Sequence, residues 1–302
     1  MGAPQSGIFS LGDTAHLYLE FVLEHPGSAR RLLEKVAAFH EPRTTVGGMN
    51  LVIGVRPELW RSEAPDDAPD DVRSFDEPIV GPDGFTMPAT QADLWVWLSA
   101  ASFDQLWDCG RALIASLGAV ARLERHASGW AYRHSRDLTG FEDGTENPTL
   151  MDAPETALVP ADRKGDGASV LLFQKWRHET SWSDLTEHQQ EAAMGRTKHG
   201  SVELEGDRQR PDSHVSRAKD VVDGVERDIF RRNVPYGDIL DHGTLFVGFS
   251  CEQSRLRRML ERMAGTEDGV RDALTRHTTP LTGAYYVVPS MDALKRLSNA
   301  MS

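Results

Sequence analysis

The chain has only two cysteines among its 302 residues, Cys109 and Cys251, far apart and set in apolar stretches. That scarcity excludes a disulfide-stapled scaffold and a Cys-x-x-Cys motif, and it predicts two core thiols in a reducing compartment. Positive charge is also short, with 33 Lys and Arg against 46 Asp and Glu and a net charge of −13. Such a balance argues against unspecific nucleic-acid binding and against docking on an anionic membrane. No apolar run is long enough to span a bilayer. Met1 to Thr14 lack the basic and apolar regions of a secretion signal, so a cytoplasmic location is expected. The remaining composition, 39% hydrophobic and 26% charged, is that of a globular protein with length for one large domain or two smaller ones.

Alternation and helical spacing organise the first half as β-α-β twice over. His16 to Leu23 and Met49 to Val55 read as strands around a helix from Ala29 to Phe39, on which Leu32, Leu33, Val36 and Phe39 share a face. Leu94 to Ala100 and Leu123 to Tyr132 read as strands around a helix from Phe103 to Leu117, with Phe103, Leu106, Ala112, Leu113 and Leu117 as its apolar side. Between Ser62 and Gln91 acidic residues alternate with Pro65, Pro69 and Pro78, which predicts a long solvated connection. No EF-hand spacing is present there.

The second half repeats the plan. Ala168 to Lys175, Asp228 to Val234, Gly243 to Ser250 and Ala284 to Val288 read as strands. One helix runs from Asp184, as N-cap with Glu187 at the capping-box position, to about Gly195, and another from Ser254 to Ala264. The expectation is an α+β fold of two ferredoxin-like, split-βαβ halves with antiparallel sheets, residues 1–139 and 140–302.

Where the halves meet stands Gly140-Phe141-Glu142-Asp143-Gly144-Thr145-Glu146-Asn147-Pro148. Two glycines bracket a run that holds Asp143, and Pro148 stiffens the exit, so the carboxylate sits on a sharply turned backbone. Alone, Asp-Gly is a turn signal. Two further stretches stand out, Pro211 to Arg217 around His214 and Ile229 to Gly237. If the latter is a strand, Arg231 and Asn233 share one face and Arg232 takes the other.

Together these segments resemble the dye-decolorising peroxidases, haem proteins of ferredoxin-like fold. Residues 140–148 resemble that family's glycine-bracketed aspartate motif, Ser213 to Arg217 its proximal-histidine segment, and Ile229 to Gly237 its distal-arginine segment. Their order and separation are similar to those of the B-type members. Gly195 to Lys198 and Leu281 to Ser290 also look like family segments. The resemblance implies a haem-dependent peroxidase with haem b (iron protoporphyrin IX) held mainly by the C-terminal half. Hydrogen peroxide would be reduced through a high-valent haem, with phenolic, dye-like or other small-molecule one-electron donors oxidised in turn. It implies His214 as the axial ligand of the iron and Asp143, Arg231 and Asn233 as the residues over the opposite face. Asp272 is implied as the acceptor for the second nitrogen of His214, and Arg196 as the partner of a haem propionate. Either Phe246 or Leu245, alternating on one strand, should pack on the porphyrin. His199, His242 and His277 are rival ligands on residue type alone. Trp95, Trp97, Trp130, Trp176, Trp182, Tyr285 and Tyr286 are expected in the core, although any of them could relay electrons in principle. The family implies a homo-oligomer. A haem-handling protein, storing haem or removing its iron, is the alternative, and it has no use for an acid and a cation over the metal.

Overall fold

A computed structural model describes residues 2–39, 48–133 and 135–299. In the first half, β1 (Ala15–Leu23), α1 (Ala29–Ala37), β2 (Met49–Val55) and α2 (Pro57–Glu63) precede the short strands β3 (Ile79–Val80) and β4 (Thr86–Met87). Then come β5 (Leu94–Ala100), α3 (Phe103–Leu117) and β6 (Ala121–Trp130). After α4 (Ala153–Ala157), the second half runs β7 (Ser169–His178), α5 (Glu187–Met194), α6 (His214–Ala218), β8 (Val221–Val222) and β9 (Val225–Glu226). It continues β10 (Phe230–Arg231), β11 (Val234–Gly237), β12 (His242–Ser250), α7 (Gln253–Ala264), β13 (Thr278–Pro280), β14 (Ala284–Val288) and α8 (Met291–Asn299).

Each half forms an antiparallel sheet with the ferredoxin-like strand order, β6-β1-β5-β2 and β14-β7-β12-β11. The two sheets join through β6–β11 and β2–β14, so the eight strands close into a ring, with β10 and β13 added at the edges of β12 and β7. The junctions are thin, with one registered pair each, Tyr236 with Gly129 and Val287 with Val55. Side chains hold what the backbone barely joins. Tyr18, Val52, Trp95 and Trp97 from the first half pack with Leu171, Phe173, Val247, Phe249 and Tyr286 from the second in one buried cluster. Glu20, only 3% exposed, accepts from the Tyr286 hydroxyl at 2.6 Å and pairs with Arg125 at 2.9 Å. The outer faces of the sheets pack on α1, α3, α7 and α8 in a second core.

Several expectations are corrected. On α3 the buried side is Leu106, Cys109, Gly110, Leu113 and Leu117, while Phe103 and Ala112 are exposed, because the stripe is set by the sheet beneath and not by the first apolar residue. The N-cap of α5 is Thr186 and not Asp184: Thr186 accepts from the Gln189 amide N–H and Gln189 reaches back to Thr186. A 3-10 turn over Thr180–Trp182 uses up the preceding residues. The acidic connection is tethered as well as solvated, since Asp67 pairs with Arg296, Asp76 with Arg56 and Asp83 with Arg271. Cys109 and Cys251 are buried free thiols, and Trp95, Trp97, Trp176, Trp182, Tyr285 and Tyr286 are core residues, as expected, whereas Trp130 is half-buried at the end of β6. Among the described residues no helix is long and apolar enough to cross a membrane.

Candidate active site

The expected strand over Asp228 to Val234 breaks into β10 and β11. Arg232 donates its amide N–H to Val247 O, and Val247 donates its own to the side chain of Asn233, so the irregular step takes in Asn233. The alternation survives the break. Arg231 and Asn233 line a deep cavity, while Arg232 turns into the ring, donates to Ile8 O at 2.8 Å and lies over Trp97 at 5.2 Å. Among the described residues, the Nε of Arg231 is buried without a hydrogen-bond partner. The turn from residue 140 to 148 lines the same cavity through Phe141 to Glu146. Asp143 donates its backbone N–H to Ser135 O, and its carboxylate accepts from Asn233 Nδ2 at 3.3 Å.

Also on the cavity wall, His214 opens the first turn of α6, whose N-cap Ser213 accepts from the Ser216 amide. Its Nδ1 lies 2.7 Å from Asp272 Oδ2, and Asp272 is fully buried, not an exposed acid on a helix. Asp272 is itself fixed, accepting from Leu274 N at 2.8 Å. Burial disfavours a charged ring at His214, but the charge and hydrogen bond of Asp272 outweigh it and the net shift is upward. Nε2 is thereby left as the ring nitrogen available to the cavity. Helix α6 is clamped to α7 and the turn after it by Arg217, which holds Asp268 with both terminal nitrogens and Arg262 O.

Arg196 lies on the rim, nearly buried, paired with Glu146 and Glu203. Phe246 lines the cavity. Leu245 does not: it is fully buried in the cluster inside the ring, a correction that follows from strand alternation once the faces are known. Among the rival histidines, His199 is exposed beside Glu187 and His277 bonds Ser181. His242 stands opposite His178 across β12 and β7, and it is His178 that reaches the wall. Burial and the charge of His242 push the His178 ring down to about 4, so it is neutral at pH 7.

Sequence reasoning missed three residues at this site. Asp137 lines the cavity, and desolvation there pushes its carboxyl up to about 6 against hydrogen bonds from Thr139, with the Asp143 charge adding to the rise. Gln174, 1% exposed, accepts from Trp176 Nε1 at 3.2 Å, and its Nε2 has no partner among the described residues. Asn147 bonds the backbone of Arg231 twice. Only Gln174 carried a usable signal, an amide directly after the apolar run Val170 to Phe173.

The family described as Dyp-type peroxidase, C-terminal, matches residues 134–293. A dye-decolorizing peroxidase of Mycobacterium tuberculosis is 31% identical over 254 residues, which span 82% of this chain and 75% of that protein. One from Brevibacterium linens is 31% identical over 82% of this chain and 68% of its own length. The chain belongs to the dye-decolorising peroxidase family. Among solved structures, a variant of Rhodococcus jostii RHA1 DypB in complex with haem superposes with a TM-score of 0.88 at 33% identity, covering 98% of this chain and 99% of that one. The expected family, its B type and its ferredoxin-like fold are borne out. As a family member the protein is a haem-dependent peroxidase, and the haem-handling alternative is not favoured.

Proposed function

We propose that the cavity seats haem b with His214 Nε2 as the axial ligand, and that Asp143, Arg231 and Asn233 handle hydrogen peroxide on the other face. The observation that carries this reading is the His214–Asp272 pair. A buried carboxylate at 2.7 Å fixes one ring nitrogen and turns the other to a cavity that also holds Arg231, whose buried Nε has no partner among the described residues. The donor set fits the group. One cavity brings His214 together with Asp143, Arg231 and Asn233. Its wall is mixed, with Phe246, Met259, Leu260 and Met263 as apolar contacts for a macrocycle. Arg196 at the rim suits a propionate by its fork geometry.

Haem supplies the two-electron reduction of peroxide and takes electrons back singly from donors. Asp143 accepts a proton from one peroxide oxygen and returns it to the other, which departs as water. Arg231, permanently cationic, stabilises negative charge as the O–O bond breaks. Asn233 holds the Asp143 carboxylate through its Nδ2 contact. Asp272 keeps the His214 ring oriented and enriches it in electron density.

The physiological reductants in this reading are small phenolic or dye-like molecules, and the net charge of −13 speaks against nucleic acid as a partner. Two buried free cysteines support a cytoplasmic setting. Ile239 and Leu240, more than 90% exposed in one loop, support a homo-oligomer. The test is the visible spectrum of the haem-loaded protein before and after one equivalent of peroxide. His214→Ala should lose or alter the haem band. Asp143→Ala or Arg231→Ala should slow the peroxide reaction by about 10²–10³-fold. A haem band indifferent to peroxide in the parent protein, or unchanged by His214→Ala, would sink the assignment.

A further inference from the structure

Strand β10 is two residues long and pairs on one side with β12, Phe230 with Phe249 and Arg231 with Gly248. Its other edge at Arg231 meets a side chain in place of a strand. Asn147 Nδ2 donates to Arg231 O at 2.9 Å, and Arg231 N donates to Asn147 Oδ1 at 2.9 Å. One amide thus satisfies both backbone groups of Arg231, as a paired strand residue would. Asn147 belongs to the turn that carries Asp143, and the two partners are 84 residues apart in sequence.

Turn geometry does not require this use of the side chain. The turn is closed by the backbone of Asn147, which donates to Gly144 O at 3.0 Å. Gly144, with φ of +78°, makes room for the amide, since a Cβ there would stand 3.1 Å from Asn147 Nδ2. We infer that Asn147 is a positioning residue that locks the backbone of Arg231 to the Asp143 turn and so sets the reach between the acid and the cation. Asn233 ties the same two elements from its side chain, bonding Asp143 Oδ1 and Val247 N. With Asn147 in place, the acid and the cation stand on one doubly stapled unit and cannot drift apart. Displacement of a reacting group by even 1 Å costs up to ~10²-fold in rate.

The inference rests on the proposed roles of Asp143 and Arg231. Its test uses the haem-loaded full chain with Asn147→Ala, which removes both bonds, and Asn147→Asp. The aspartate keeps the acceptor for the Arg231 N–H but sets a carboxylate oxygen against the Arg231 carbonyl. In both variants the second-order rate with hydrogen peroxide should fall by about tenfold or more, while KM for a one-electron donor stays within about twofold. Cyanide, which binds ferric haem and needs the same acid and cation, should bind more weakly in a spectrophotometric titration. Haem content and melting temperature are measured alongside. Peroxide rate and cyanide affinity near those of the parent in both variants would overturn the inference. So would losses that merely follow lost haem or a lowered melting temperature. If Asp143→Ala and Arg231→Ala also leave the peroxide rate untouched, the fault lies in the underlying assignment instead.

Discussion

His16 is buried to 3% exposure, its ring nitrogen accepting from Trp97 Nε1 at 3.2 Å with Arg232 nearby. Burial, then the Arg232 charge, push its pKa down to about 4. A histidine depressed in the folded state leaves stability untouched above its unfolded value near 6.5. Stability is lost as pH falls from there through about 4, because only the unfolded chain takes the proton. The slope is ~1.4 kcal/mol per pH unit per group. Urea unfolding at pH 7, 6 and 5 should show this decline, and His16→Asn should flatten it by about one proton's worth. An unchanged slope would contradict the burial argument. Residues of this kind were the least legible in the sequence. Alternation sent Arg231 and Asn233 to one face and Arg232 to the other. It could not say which of Leu245 and Phe246 meets the cavity, because the two faces of a strand buried on both sides read alike. Asn147 acts on Arg231, 84 residues away in sequence, so its place in the 140–148 turn did not announce that role.

Strands and helices were far more legible. β2, β5 and β14 run over the residues that their apolar runs indicated, since a strand buried on both faces writes itself as a continuous stretch. Helix α6 was hidden in a polar segment because it is held by Arg217 on Arg262 O and Asp268 and by Arg262 on Ser216 O, and not by an apolar stripe. Its start depends on a neighbour. Gly195 ends α5 with φ of +88°, and a Cβ there would lie 2.8 Å from Ser213 Oγ, the N-cap of the helix that carries His214. Gly195→Ala should therefore cost about 1–3 kcal/mol from the left-handed backbone alone. It should also weaken haem retention by disturbing the cap. Thermal melts and haem transfer to apomyoglobin measure the two effects. A variant as stable and as retentive as the parent would show that the contact is relieved elsewhere.

At the scale of the molecule, the division at residues 139 and 140 separates two sheets but not two cores. Aromatic side chains from both halves fill one ring, and Glu20, Arg125 and Tyr286 join them in a buried polar contact. We expect one cooperative calorimetric transition, and Arg125→Met should lower it by about 3 kcal/mol, since removing one partner strands a buried carboxylate. Two separable transitions would make the halves independent domains. The sequence showed the repeat of elements but not this closure, because each junction is a single registered pair with no periodicity to read.

Ring closure also imposes an order in time. Arg232, beside Arg231, takes its anchor from Ile8, 224 residues earlier, and Glu20 waits for Tyr286, 266 residues later. Contacts of such separation form late, after the local hairpins and helices. A ribosome that has released only the first half has made a sheet whose aromatic face lacks its cover. The cavity cannot take its final shape until Thr278, the last residue of its lining, is out. Any agent that guards the nascent first half must therefore guard aromatic surface.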